Sequence, residues 1–507
     1  MPDQAPRALI SVSDKTGVED LAGGLVELGY QVVSTGNTLR ALEAAGVQAT
    51  AVSDVTGFPE ILGGRVKTLH PVIHGGVLAK RTAEHLAEIS GHGIAPVDVV
   101  VSNLYPFRET VARADVSLEE ALEQIDIGGP AMIRAAAKNH PSVVVVVDPS
   151  DYAAVLEDLR SGMSADRRRE LAVKAFAHTA AYDAAIVTWL QRDEDLPKYL
   201  NLALTREQEL RYGENPHQRG ARYRYVGRSS VWDGMVQHSG QPLSYLNLFD
   251  GEAAWRLAHE LPGTACVIVK HANACGAAVA EDLRTAYERA FAADPKSAFG
   301  GVVALPGIVD LELAERIAAN PKADVILARA YDASALELLA RKRKNTRLLQ
   351  LASAGPSGLD LRRADGGLLV QGPDEVENQE AWQVVTRRQP TEAEWLDLQI
   401  AYRVCARTTS NAIVLVKDGV AFGVGAGQQS RVDAVEIAAE KAAGRAAGGA
   451  CASDAFFPFR DGLDAVAAAG VTAVVQPGGS IRDPEIIEAA DEMGLAMVVT
   501  GHRHFKH

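Results

Sequence analysis

The chain has 507 residues, room for two to four domains that each hold a full hydrophobic core. Its composition, 47% hydrophobic and 23% charged with 45 glycines, is that of an ordinary globular protein. A net charge of −14 argues against a broad nucleic-acid surface, which needs a basic excess to displace counterions, yet leaves room for a local pocket that takes small anions.

The four cysteines, Cys266, Cys275, Cys405 and Cys451, form no C-x-x-C pair, the usage of reduced thiols in a cytosolic enzyme. The N-terminus lacks the basic-then-apolar profile of a secretory signal. No window approaches the roughly 18 apolar residues of a membrane span. The expectation is a soluble, cytoplasmic protein.

In chain order, "RALISV", "GVEDLAGGLVELG" and "YQVVST" read as a strand, a helix and a strand, a unit that implies a parallel sheet covered by helices. The loop after the first strand, "SVSDKTG", places Ser11, Ser13, Lys15 and Thr16 where a helix start favours phosphate, although a solvated N-cap reads equally well. "STGNT" (Ser34, Thr35, Gly36) is a second candidate phosphate turn or a plain turn. "GGRVKTLHPVIHGG" concentrates Arg65, Lys67, Thr68, His70 and His74 between two Gly-Gly pairs. Pro71 and the absence of an H-E-x-x-H glutamate argue against a zinc helix there. "VDVVVSNLYPF" is a buried strand that ends at Asn103 and Tyr105, and "IDIGGPAMIRAAAKNH" supplies Asp126 and Lys138. Together these residues suffice for metal-free acid/base work on a nucleotide. "SVVVVVD" is too apolar for a strand wet on one face.

After the alanine-rich helical stretch around residues 169–191, a charged, proline-containing segment suggests a domain boundary near 192–205. "RYGENPHQ" is dense in turn formers. Two further α/β stretches, about 262–345 and 408–507, could be similar subdomains, without a clean sequence repeat. In "IVKHANACG", Lys270 and His271 end a strand and could form an acid/base pair. A zinc deaminase would need the H-x-E…P-C-x-x-C pattern, which is missing. "TTSNAIVLVKDGVAFGVGAGQQSR" reads as two strands and a hairpin running into Gln428, Gln429, Ser430 and Arg431. "SDAFFPFRDG" adds Phe456, Phe457, Phe459 and Asp461, of which two or three phenylalanines should be core. "QPGGS" adds a glycine turn at Pro477 and Gly478, and the terminal "GHRHFKH", with Arg503, could equally be a floppy tail.

With these motifs in this order, the sequence resembles the bifunctional purine-biosynthesis family that joins phosphoribosylaminoimidazolecarboxamide formyltransferase to inosine monophosphate cyclohydrolase. The resemblance covers nearly the whole chain, and "RYGENPHQ" and "GAGQQSR" are its most specific parts. It implies an α/β fold: an N-terminal open parallel sheet of methylglyoxal-synthase type, then two cytidine-deaminase-like subdomains without zinc. The implied domains are a cyclohydrolase over 1–198 and a formyltransferase over 199–507, split near 370.

The resemblance gives the C-terminal half formyl transfer from 10-formyltetrahydrofolate, a co-substrate rather than a tightly bound cofactor, to 5-aminoimidazole-4-carboxamide ribotide. Lys270, His271 and Asn411 would be catalytic. Arg211, Tyr212, Gly300, Asp324, Arg431, Phe456 and Arg503 would hold the ribotide, and Gln429, Ser430, Asp461, Pro477 and Gly478 would face the folate. The N-terminal half would close the ring, with Lys67, Tyr105, Asp126 and above all Lys138 catalytic, and Ser11, Ser13, Lys15, Ser34, Thr35, Gly36, Arg65, Thr68 and Asn103 around phosphate and ribose. No metal is implied, nor a nucleic-acid or membrane partner. A homodimer with shared formyl-transfer sites is. Asn37, Ala274, Arg329 and Thr409 depart from the family pattern. The rival reading is a catalytically silent purine-nucleotide sensor on the same fold.

Overall fold

The computed structural model describes residues 5–355, 358–376 and 379–507. The chain divides into two compact units, Met1–Leu204 with Tyr225–Gly227, and Thr205–Arg224 with Arg228–His507.

The first unit is built on five parallel strands: β1 (Arg7–Ser11), β2 (Gln31–Ser34), β3 (Thr50–Ala51), β4 (Val99–Ser102) and β5 (Val144–Val146). Their order is β3-β2-β1-β4-β5. Alternate residues feed two separate cores. Leu9, Val33, Val100 and Val145 lie in one; Ile10, Val32, Val101 and Val146 lie in the other. A sheet buried on both faces needs an apolar residue at every position, which is why "SVVVVVD" carries no alternation. The chain winds outward from β1 through β2 to β3 and then returns to β4 on the other side of β1. This reversal opens a crevice beyond the C-terminal ends of β1 and β4.

The second unit contains the ribbon β6 (Leu204–Leu210) and β7 (Gly220–Tyr225), whose outermost residues fall on the first unit's side of the division. Its centre is one twelve-stranded sheet. The first group is β8 (Val236–Ser239), β9 (Thr264–Lys270), β10 (Asn273–Ala280), β11 (Val302–Val309), β12 (Val325–Tyr331) and β13 (Arg347–Gln350). After a separate hairpin, β14 (Asp360–Ala364) and β15 (Gly367–Gln371), come β16 (Gln383–Val384), β17 (Ile413–Lys417), β18 (Val420–Gly425), β19 (Ala450–Ser453), β20 (Ala473–Gln476) and β21 (Ala496–Val499). The order β16-β21-β20-β19-β17-β18-β10-β9-β11-β12-β13-β8 is a palindrome of two identical half-sheets, joined where β10 pairs antiparallel with β18 through Ala277–Ala421 and Ala278–Val420.

The repeat extends to side chains at one constant spacing. Ser244 and Thr391 each cap a helix in a capping box closed by Asn247 and Glu394. One turn further, Asp250 and Asp397 each accept from the backbone of a two-residue hairpin turn. The signal S-x-x-N-x-x-D against T-x-x-E-x-x-D was legible in the sequence and is the clean repeat that the chain-order reading missed.

Candidate active sites

In the first unit the crevice is shaped by Asn103, just past β4. Its Oδ1 accepts from the backbone N–H of Ser13 at 2.6 Å and of Asp14 at 2.9 Å, and its Nδ2 donates to the carbonyl of Asp14 at 2.9 Å. Asn103 therefore holds the Ser13–Asp14 loop in place at the end of β1. The buried Ser34 hydroxyl donates to the carbonyl of Ile10 at 2.8 Å. The Ser11 and Thr35 hydroxyls meet at 3.0 Å across β1 and β2. Thr35 is also the N-cap residue of the helix Gly36–Ala44, without a side-chain capping bond, and that helix start follows the C-terminal end of β2.

Lys67 lies over that helix start, since a Cβ on Gly36 would stand 3.2 Å from its Nζ. Its nearest carboxylate is Glu60, at 3.6 Å. Asp126 accepts from the N–H of Gly129 at 2.8 Å, and any side chain at 129 would place its Cβ 2.4 Å from the carboxylate, so glycine is required for the approach. Burial pushes the Asp126 carboxyl up, against the opposing pull of the Gly129 and Tyr105 amides and of Lys67. Burial, with the charges of Asp126 and Glu60, also raises the Tyr105 phenol. A Cβ on Gly128 would touch the buried Thr68 hydroxyl at 3.0 Å. Lys67, Thr68, Tyr105 and Asp126 thus share one neighbourhood with Thr35 and Gly36: anion donors beside an acid/base group.

Three further expected residues have other partners or other surroundings. Arg65 is exposed and turned to Glu123. The Lys15 ammonium folds back to the carbonyl of its neighbour Ser13 at 3.2 Å. Lys138, expected to be the essential group, is the exposed last residue of the helix Gly128–Lys138. At 1.5 Å rise per residue its backbone stands about 15 Å along the helix from Gly128. His70 accepts from Val72 N–H as the cap of the helix Pro71–Leu78, with Pro71 at its first position, while burial lowers His74. Among the described residues no three His, Cys, Asp or Glu side chains converge to hold a metal ion.

In the second unit, strand register brings the expected residues to one edge of the sheet. The end of β9, the starts of β10, β11, β12, β13 and β17, and the ends of β18, β19, β20 and β21 all lie there. Lys270 donates to the carbonyl of Phe299 at 2.9 Å, next to Gly300. Asp324 pairs with Lys322 at 2.8 Å. Near it the buried Arg347, absent from the sequence-based set, is pushed down by burial and pulled up by Asp324. Arg211 lies over the ring of Tyr212. A cleft of about 180 Å³ opens between Lys270, His271, Asn273, Cys275, Val424 and Ala426. Burial raises the Cys275 thiol to about 12, so it stays protonated.

Asn273 ties the His271 turn to the Asn411 segment: its Nδ2 donates to the carbonyl of His271 at 3.0 Å, and its Oδ1 accepts from the N–H of Thr409 at 2.8 Å. The Asn411 amide donates to the carbonyls of Gln428 (2.8 Å) and Gln429 (3.1 Å) and accepts from Arg431 at 2.9 Å. Arg431 also bonds Ser453 Oγ at 2.8 Å and the carboxylate of Asp454, which is fully buried. Arg431, expected to hold the ribotide, has its side chain 9% exposed and bonded to Asn411, Ser453 and Asp454, so that it braces Asn411. Asp454, which no sequence signal singled out, anchors that strut, accepting also from Ser410 Oγ at 2.6 Å and Ala412 N–H at 3.1 Å.

The remaining expected residues surround this network. Gln429 is exposed, Ser430 caps the helix Arg431–Ala442, and Pro477 and Gly478 follow the end of β20. Asp461 accepts from Gly462 N–H in the first turn of its helix. Of the three phenylalanines, Phe457 alone is core; Phe456 is half-buried and Phe459 exposed. The terminal segment is no floppy tail. Tyr402 donates to the carbonyl of His502 at 2.6 Å, Ser410 N–H to the carbonyl of Lys506 at 2.8 Å, and Arg503 stacks over Phe505. Of the residues that depart from the family pattern, Arg329 and Asn37 are exposed, Ala274 is buried, and Thr409 holds Asn273 as described.

Among the described residues no helix is long and apolar enough to cross a membrane. Comparison with known families matches residues 136–441 to the AICARFT/IMPCHase bienzyme model and residues 17–131 to the MGS-like domain. A solved structure described as "Crystal structure of ForH" is 39% identical over 37% of this chain and 98% of its own, with a TM-score of 0.35, too low for the superposition to carry an argument. With more than half its length matched, the chain belongs to the AICARFT/IMPCHase bienzyme family, and it is an enzyme with the formyltransferase and cyclohydrolase activities of purine biosynthesis.

Proposed function

We propose that the two activities are divided between the two units. The second unit transfers the formyl group of 10-formyltetrahydrofolate to the 5-amino group of 5-aminoimidazole-4-carboxamide ribotide. The first unit closes the product to inosine monophosphate with loss of water. In the transfer, the amine nitrogen bonds to the formyl carbon and the carbon–N10 bond breaks. His271 takes the proton lost by the amine and returns it to N10 of the departing tetrahydrofolate, Lys270 faces the developing oxyanion, and Asn411 fixes the loop from Gly427 to Ser430 against which the folate lies. Arg211, Tyr212, Gly300, Asp324, Phe456 and Arg503 hold the ribotide, with Ser430, Asp461, Pro477 and Gly478 on the folate side.

In the closure, the carboxamide nitrogen attacks the formyl carbon and the resulting hydroxyl leaves as water. Asp126 and Lys67 exchange the protons, the neutral Tyr105 phenol donates to the formyl oxygen, and Thr35, Gly36 and Thr68 receive the phosphate. The reading assigns the proton transfer to Lys67 and Asp126 rather than Lys138. A cytoplasmic homodimer completes the proposal.

The observation that supports it most is the convergence of Lys270, His271, Asn273 and the Asn411–Arg431–Asp454 network on one sheet edge. The test uses the full chain. His271→Ala should lose tetrahydrofolate formation but still cyclise supplied formyl ribotide, and Asp126→Asn should do the converse. If either variant lost both activities while remaining folded, the division of labour would be wrong.

A further inference from the structure

His271 and Ala272 are the two central residues of a hairpin turn closed by the pair Lys270–Asn273, and both have φ near +57°. That geometry is a type I′ turn, which normally takes Asn-Gly or Asp-Gly because a Cβ in the left-handed region costs about 1 kcal/mol or more per residue. The repeat supplies an internal comparison. Its equivalent turn, Asp418–Gly419 between Lys417 and Val420, has the favoured Asp-Gly pair at φ +49° and +78°. The two turns share the carboxylate beneath them, Asp397 accepting from the N–H groups of Asp418 (3.1 Å) and Gly419 (2.8 Å), and Asp250 from that of Ala272 (2.8 Å).

They differ at the carbonyl. Gly419 C=O accepts from Val279 N–H of the neighbouring strand at 2.9 Å. Continuing the β10–β18 register would set Ala426 against Ala272 in the same way, but no such backbone bond forms, and the substrate cleft opens there beside a bulge at Ala274–Gly276. The Ala272 carbonyl is instead met by the Lys506 ammonium, at 2.7 Å, which also donates to the carbonyl of Arg407 at 2.8 Å.

We infer that Asp250 and Lys506 clamp the Ala272 peptide from its two ends and so hold His271 in its strained reacting position, Lys506 standing in for the strand contact that was given up to open the cleft. Both are positioning residues for formyl transfer. This inference rests on the reading of His271 as the proton acceptor. Burial, with Arg407 and Arg362, holds Lys506 down to about 8, in keeping with an ammonium drawn into the fold for its donors.

The test is Lys506→Met in the full chain, with tryptophan-fluorescence urea unfolding, which reports mainly on the second unit, as the control for folding and cyclisation of formyl ribotide as the control for the first unit. The clamp predicts a loss of roughly 10- to 100-fold in kcat for formyl transfer, with KM for the ribotide little changed and cyclisation intact. Adding Ala272→Gly, which removes the Cβ that strains the turn, should restore most of the loss. An unaltered kcat in Lys506→Met, or a double variant no better than the single, would overturn the clamp. His271→Ala, run alongside, separates the two failures. If it keeps formyl transfer, the reading of His271 falls; if it abolishes transfer while Lys506→Met stays active, only the clamp falls.

Discussion

Replacing Asp454 by asparagine tests whether the Arg431 strut is energetically what its geometry suggests. The carboxylate is fully buried, and its Arg431 partner is 9% exposed. Two further donors, Ser410 Oγ at 2.6 Å and Ala412 N–H at 3.1 Å, converge on Oδ2. An amide there retains the shape but leaves the guanidinium without its counter-charge. Breaking one side of a buried pair costs about 3–5 kcal/mol, whereas replacing both partners by apolar residues of similar size is often close to neutral. Four of the five tryptophans, Trp232, Trp255, Trp382 and Trp395, lie in the second unit, so fluorescence-detected urea unfolding reports mainly on that unit. The expected result is a loss of about 3–5 kcal/mol in Asp454→Asn and a clearly smaller loss in the double variant Asp454→Asn/Arg431→Met, which removes the unpaired guanidinium and keeps an amide oxygen for Ser410 Oγ and Ala412 N–H. Formyl transfer should fall in both, because Asn411 loses its anchor, while cyclisation persists. An Asp454→Asn protein within about 1 kcal/mol of the parent, or a double variant as unstable as the single, would refute the reasoning.

Other expectations follow from individual groups. Asp126→Asn should lower cyclisation by roughly 10²- to 10⁴-fold, the range for a lost proton-transfer group, in single-turnover assays with formyl ribotide. Lys67→Ala should damage the same step far more than Lys138→Ala; equal losses would place Lys138 in the site after all. Burial raises the Glu394 carboxyl, but Arg388, the Thr391 amide and hydroxyl, and Thr472 outweigh it and hold the group down to about 2. A depressed carboxylate stabilises the fold fully above its unfolded value of 4.5 and loses that contribution as pH falls towards 2. Glu394→Gln should therefore cost on the order of 3 kcal/mol near pH 7, with the gap to the parent closing between pH 4.5 and 2 in denaturant titrations. Lys506, faced by Arg407, Arg362 and Asp250, loses its charge as pH rises through about 8. Formyl transfer should show an alkaline limb there that the Lys506→Met/Ala272→Gly variant lacks.

Much of this architecture could be read before the structure. The parallel sheet followed from the strand-helix-strand unit at the start of the chain and from valine runs too apolar for a half-wet strand, and the hairpin of β17 and β18 from the strand pattern of "TTSNAIVLVKDGVAFGVGAGQQSR". What could not be read was long-range. The β10–β18 pairing that fuses two half-sheets joins residues far apart in sequence and leaves no local trace. Ser34, Asn103 and Arg431 also bond backbone and carboxylate partners inside the fold, which become visible only once those partners are placed. Lys138 is near Asp126 in sequence, but the helix Gly128–Lys138 carries it to the far end from Gly128, a separation that sequence spacing alone does not display. Lys506 lay in a terminal segment that sequence alone could not distinguish from a tail, and only the bonds of Tyr402 and Ser410 show it to be an ordered strap.

The most direct test of the central claim is a single reaction. The purified full chain is mixed with 5-aminoimidazole-4-carboxamide ribotide and 10-formyltetrahydrofolate, and tetrahydrofolate and inosine monophosphate are followed together. The account predicts that both form in equal amounts, with formyl ribotide as a passing intermediate. Tetrahydrofolate without inosine monophosphate would contradict the assignment of the first unit, and turnover of neither substrate would point instead to a silent nucleotide sensor built on this fold.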